Sequence, residues 1–224
     1  MGLQGLMKYA VTWLASLDKM GGERMKTIIA ASRNEHKIKE ITAITEKYGM
    51  KVISRDEAGI PPFEIIEDGT TFEENSLKKA KEIMAISGQI TIADDSGLEV
   101  DYLNGDPGVY SARYAGENSN DKKNNEKLLS MLDGIAYTDR RARFVSVITI
   151  VFPNGENLVA RGECCGHILD REEGRFGFGY DPLFIPDGYQ RTFAQMDEET
   201  KNKISHRAKA LKEMERLLSE RGEF

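Results

Sequence analysis

Residues 90–100, Ile-Thr-Ile-Ala-Asp-Asp-Ser-Gly-Leu-Glu-Val, run an apolar, β-branched stretch into two adjacent carboxylates, Asp94 and Asp95. The stretch predicts a buried strand, and Gly97 predicts a turn into a second short strand over residues 98–100. Like charges side by side at the mouth of a buried strand resist ionising together. A divalent cation relieves that repulsion, and magnesium takes hard oxygen ligands of this kind. The competing reading is a polar turn between two strands, because turns favour Asp, Ser and Gly for reasons of their own.

The rest of the chain narrows the choice. A length of 224 residues suits one large domain, or a domain with a lobe folded onto it. No apolar run approaches the roughly 20 residues of a membrane span, so no membrane partner is expected. A net charge of −6 argues against a general nucleic-acid binder, whose affinity rests on a basic surface. Phosphate chemistry here needs basic residues gathered locally and helped by a metal. Cys164 and Cys165 are adjacent and make poor disulfide partners, and the chain's 3 His form no zinc pattern with them. A reducing cytoplasm fits these features. Residues 1–24 read as an extension ahead of a domain over residues 25–224. They form either a short amphipathic helix over residues 6–17 or an over-long start upstream of Met25, and they carry no chemistry.

Along the domain, a short apolar strand over residues 27–31 leads into Ser32, Arg33, Asn34, Glu35, His36 and Lys37, then a helix with Ile38, Ile41, Ile44 and Tyr48 on one face. Ser32 with Glu35 three places on is a capping-box pattern. A strand feeding a helix N-terminus also presents free N–H groups to an anion, with Asn34 and Lys37 as added donors. Neither a Walker sequence nor Gly-x-Gly-x-x-Gly occurs. A second strand, residues 51–54, is followed by Glu67 in a turn. A second helix then opens at Thr71 with another capping box and buries Leu77, Ala80, Ile83 and Met84. Residues 141–152 and 156–166 form a hairpin turned at Pro153-Asn154-Gly155, with Cys164 and Cys165 read as buried strand residues. Phe176-Gly177-Phe178-Gly179-Tyr180-Asp181-Pro182 sets glycines between aromatics, so backbone can approach a ligand while rings stack on something flat. Asp197 caps a short helix, and Ser205-His206-Arg207 opens the last one. Early strand–helix alternation with a late hairpin predicts an α/β fold on a mixed sheet. Acids for a metal, lysines for phosphates and an aromatic loop for a planar ring together point to a nucleotide.

Ser32-x-Asn34-x-x-Lys37, Ala93-Asp94-Asp95-Ser96-Gly97-Leu98, Pro107-Gly108-Val109-Tyr110-Ser111-Ala112-Arg113, Phe178-Gly179-Tyr180-Asp181 and Ile204-Ser205-His206-Arg207 resemble, in order, the motifs of the inosine triphosphate pyrophosphatase or Ham1-like family. The resemblance runs from about Met25 to the C-terminus. It implies an elongated mixed sheet flanked by helices, with two lobes and the nucleotide site in the cleft between them, and a homodimer. It also implies magnesium-dependent cleavage of ITP, dITP, XTP and dXTP to the nucleoside monophosphate and pyrophosphate. Carried over by position, Asp95 matches the proton acceptor and a metal ligand, and Glu67 the second metal ligand. Residues 32–37, Lys79 and Lys201 match positions that hold the triphosphate, and Ser96 a substrate contact. Phe178, Gly179, Tyr180 and Asp181 match the base-stacking loop, and His206 and Arg207 match donors near the purine. Two departures stand out: Ile66 occupies a place that is often acidic, and Ser32 replaces the more common Thr.

Two other classes remain in view. A Maf-like enzyme would cut dTTP or UTP, but the Ser-His-Arg and Phe-Gly-Tyr-Asp motifs favour purines. A nucleotide-sensing module would bind without cleaving, and has no need of Asp94, Asp95 and Glu67 together.

Overall fold

The computed structural model describes residues 26–46, 49–117 and 119–222. The expectations for residues 1–24, Met25 and Tyr48 lie outside the described residues. Among the described residues, six strands form one mixed sheet in the order β2-β1-β3-β4-β5-β6. The strands are β1 (Lys26–Ala30), β2 (Met50–Ser54), β3 (Thr91–Val100), β4 (Arg141–Val151), β5 (Asn157–Ile168) and β6 (Phe184–Pro186). β1 pairs in parallel with β2 and β3, and every pairing from β3 to β6 is antiparallel. Helices α1 (Glu35–Thr45), α2 (Phe72–Ser87), α3 (Asp121–Met131), α4 (Glu198–Ile204) and α5 (His206–Glu220) flank it.

Period-2 alternation divides the core. Ile92, Ile148 and Ile150 point to one face and pack with Ile41 and Ile44 of α1 and Leu211, Met214 and Leu218 of α5. Ala93 and Val151 point to the other, under Ala80 and Ile83 of α2. β4 is buried along nearly its whole length because both faces are covered, as its continuous apolar run predicts. A third cluster fills the far half of the sheet, with Leu98, Phe144, Phe184 and Phe193 at its centre.

Several local expectations change. β3 does not turn at Gly97 but runs unbroken to Val100, paired with β4 throughout. Gly97 is there for space: a Cβ would strike the Ser111 hydroxyl and the Gly108 carbonyl. Gly162 is the second such site, because α5 lies so close on β5 that a Cβ would strike the His206 carbonyl and the Ala210 amide. The cap of α1 is Asn34, whose Oδ1 accepts from Lys37 N at 3.1 Å, while Ser32 Oγ accepts from Asn34 N at 3.0 Å. Thr71 caps α2 through Glu74 N at 3.1 Å, but the Glu74 carboxylate accepts from Thr70 N rather than closing the box. Cys164 is buried as expected, whereas Cys165, on the opposite face of β5, is exposed.

Candidate active site

The site lies where β1 ends. The β1–β3 ladder stops at Ala30↔Ile92, whereas β3 continues against β4 to Val100. Beyond Ile92 that edge of β3 has lost its β1 neighbour, and the chain turns into the N-terminus of α1. Ligands of open α/β sheets collect at such points. Asp94 and Asp95 sit on this stretch, and alternation sends them to opposite faces. They do not share one cation, and the divalent ion expected between them has no place there.

Asp94 faces α1 and α5. Lys37 Nζ lies 2.9 Å from its Oδ2 and Arg207 Nη2 3.2 Å. The hydroxyls of Ser146 and Ser96 donate to it at 2.6 and 3.1 Å. Burial alone would raise this carboxyl, but Arg207 and Lys37 hold it well below the usual carboxylate range. Arg207 is itself fully buried and also ion-paired to Glu40 of α1. Glu40 reaches Lys201 Nζ at 2.8 Å as well, and Lys201 donates to Asp181 Oδ2 at 2.7 Å. Asp181 in turn accepts from Phe178 N at 2.9 Å, so one chain of charge-assisted bonds runs from β3 to the aromatic loop.

Asp95 faces α2. Lys79 Nζ donates to its Oδ1 at 2.7 Å and to Glu67 Oε2 at 3.1 Å. Asp95 Oδ2 is buried and has no partner. Burial lifts the Asp95 carboxyl to about 6 against the pull of Lys79 and Lys37. Glu67 moves the other way: burial opposes ionisation, but Lys79 wins. Two carboxylates share one lysine, and the deeper is the one pushed toward the protonated form: side-chain exposure is 7% for Asp95 and 33% for Glu67. Glu67 lies on an irregular loop, which Arg113 holds by donating from Nη2 to the Glu67 carbonyl at 3.0 Å.

This pair fits magnesium. Among the described residues no three His, Cys, Asp or Glu converge on one point. Magnesium needs only one or two protein carboxylates when substrate phosphates and water complete its shell. The orphan oxygen of Asp95 and the Glu67 carboxylate would supply them.

On the Asp94 side a cleft is lined by Asn34, Lys37, Ser96, Phe178, Lys201, His206 and Arg207, among others. The aromatic loop at its mouth is fixed by its backbone. Gly179 N donates to Asp121 Oδ2 at 2.7 Å, and Asn125 Nδ2 donates to Gly179 O at 3.2 Å. Tyr180 is buried, with its hydroxyl donating to Ser111 O at 2.8 Å, so it braces the loop while Phe178 stays half-buried. His206 stacks on Phe144 at 4.8 Å, and burial first, then Arg207 and Lys201, keep its imidazole neutral. Its Nδ1 and Arg207 Nε are buried without partners.

The structure therefore brings together Asn34, Lys37, Ser96, Phe178, Gly179, Tyr180, Asp181, Lys201, His206 and Arg207 around the cleft, and Glu67, Lys79 and Asp95 across the strand. Arg33 and Glu35 are exposed and do not line it, and Ser32 serves the turn before α1. Sequence reasoning passed over Glu40 and Ser146. Glu40 had a signal, three residues after Lys37 on the same helical face. Ser146 had none, because a lone Ser in an apolar strand is commonplace.

A mixed sheet with an anion-binding helix terminus and a flat-ring cleft meeting at the end of β1 defines the class: an α/β protein built for a phosphorylated, planar ligand. The family follows from comparison. The Ham1 family model matches residues 28–217, and the chain belongs to that family. The dITP/XTP pyrophosphatase of Clostridium perfringens is 52% identical over 196 residues, which cover 85% of this chain and 96% of that protein. That of Bacillus subtilis is 46% identical over 194 residues, covering 87% and 98%. The structure of the Staphylococcus aureus Ham1 protein matches with a TM-score of 0.77 at 44% identity, over 88% of this chain and all of that one (100%).

Proposed function

We propose that this chain is a nucleoside triphosphate pyrophosphatase that uses magnesium to split ITP, dITP, XTP and dXTP between the α- and β-phosphates, clearing non-canonical purines from the nucleotide pool. The observation that carries the reading is the pairing of Asp95, Lys79 and Glu67 on one face of β3 with an aromatic, donor-lined cleft on the other. The relatives' names supply the substrate class.

In this reading Lys37 and the free N–H groups at the start of α1 take the triphosphate. Asp95 and Glu67 would hold magnesium, which when bound would supply charge neutralisation for the leaving pyrophosphate and a more acidic water. Asp95, held through Oδ1 by Lys79, accepts the proton of the attacking water. A carboxyl near 6 is mostly ionised at neutral pH yet holds a proton better than an ordinary carboxylate, which suits a base. The ring of Phe178 carries the base. A 6-oxo purine offers an acceptor to the unpartnered donor Arg207 Nε, whereas the 6-amino group of adenine would set donor against donor. We further infer a homodimer acting in the cytoplasm, with no nucleic-acid or membrane partner. Among the described residues no helix is long and apolar enough to cross a membrane.

The test is product analysis with ITP, XTP, dTTP, GTP and ATP in the presence of magnesium. Pyrophosphate from ITP and XTP, lost in Asp95→Asn, supports the reading. Orthophosphate as product, or preference for dTTP, overturns it, and binding without turnover favours a sensing module.

A further inference from the structure

The position of His36 is at odds with a place in the phosphate cradle. Its side chain lies stacked on Phe178, with ring centroids 5.2 Å apart and planes inclined by 18°. The two residues come from different elements, the first turn of α1 and the glycine loop. The contact follows from helical spacing. His36 and Glu40 are four residues apart on α1 and so share a face. That face sends Glu40 to Lys201 and Arg207, and their cationic groups stand 5.1 and 5.9 Å from the same Phe178 ring. Three side chains thus gather on one aromatic ring, and His36 is the flat one.

The two rings are not equally free to move. Phe178 hangs on a loop held at successive amides by Asp181 and Asp121. His36 is exposed and has no hydrogen bond holding its side chain among those described. A centroid separation of 5.2 Å is one stacking distance, not two, so no second ring fits between them as they stand. A base that stacks on Phe178 displaces the imidazole, and α1 then presents His36 to the outer face of that base.

We propose that His36 is a base-contacting residue, the movable outer wall of a stack in which the purine lies between Phe178 and the imidazole. This rests on the purine pyrophosphatase reading and adds a residue to its base site. A purine has a larger π-face than imidazole, so replacing the His36–Phe178 contact by two contacts to the base favours binding.

The experiment compares wild type, His36→Ala and His36→Phe. Steady-state kinetics with ITP are run beside inhibition by inorganic tripolyphosphate, which has the phosphates without the base. IMP binding is measured by equilibrium dialysis without turnover. The expected result is a KM for ITP and a dissociation constant for IMP raised about fivefold in His36→Ala, the lower range for loss of one base–aromatic stack. The loss falls on KM rather than kcat, the phenylalanine variant recovers it, and tripolyphosphate inhibition does not change. A lowered KM in His36→Ala would make the ring a plug and overturn the proposal. So would weakened tripolyphosphate inhibition, which would return His36 to the phosphates, or an unchanged KM and IMP affinity. If wild type cleaves no purine triphosphate, the pyrophosphatase reading fails, while the IMP measurements still decide the role of His36; absence of IMP binding in wild type ends both.

Discussion

Asp94 and Asp95 are neighbours in sequence, yet the two faces of β3 treat a carboxylate in opposite ways. Asp94 meets two cations and two hydroxyls and is held ionised. Asp95 meets one shared lysine, keeps an orphan oxygen, and is pushed toward the protonated form. The first arrangement is a joint: fully satisfied, it ties β3 to α1 and α5 and aims the cleft. The second is a reagent left unfinished by the fold. Burial is similar, so partner count decides which carboxylate is held ionised and which is pushed toward its protonated form.

The largest expected effect sits on the reactive side. Asp95→Asn lowers pyrophosphate release from ITP by about a thousandfold, the middle range for loss of a general base. Its urea midpoint does not fall, because the amide oxygen still accepts from Lys79. Activity that survives the change would end the contrast at once. Next comes the joint. Asp94→Asn leaves Arg207 and Lys37 underpaired in a buried site and costs about 3–5 kcal/mol on urea unfolding. A variant as stable as wild type would show that Asp94 is not holding the helices.

Acid sharpens the comparison, because the signs differ. The folded-state pKa of Asp95 is raised to about 6, so its contribution to stability is full below 3.8 and lost as pH rises through about 6. For the metal-free protein that loss is about 3 kcal/mol. Asp94 has its pKa lowered, so its contribution is present above 3.8 and lost as pH falls below that. Unfolding between pH 3 and 7 without magnesium should therefore show a decline from pH 4 to 6 that vanishes in Asp95→Asn and persists in Asp94→Asn. The smallest expected effect is on the cleft side: Phe178→Ala raises KM for ITP about tenfold through loss of base stacking. A fall in kcat instead would mean that the faces are not separable.

Much of this was legible in sequence. The strands, helices and late hairpin follow from periodicity, and the family resemblance in the sequence marks Asp95, Lys79 and Glu67. Two acids side by side suggest a shared charge problem, but period-2 alternation sends Asp94 and Asp95 to opposite faces. Gly97 reads locally as a turn. Gly97 marks crowding by Ser111 and Gly108, residues more than ten positions away, and no local pattern reports that. Glu40 was hidden for a related reason. An acid among phosphate-binding residues looks like a solvent-facing charge until α4 and α5 bring Lys201 and Arg207 to it. Local rules give the elements, and long-range contacts give each carboxylate its role.

Gly162 has a mechanical consequence. Backbone meets backbone where α5 rests on β5, so this contact acts as a hard stop that sets the depth of the helix. His206 and Arg207 are the first residues of that helix and line the cleft, so the calibration of the cleft is written into a residue of β5. One methyl group at position 162 would work as a shim, lifting α5 and drawing Arg207 away from Asp94 and Glu40 together.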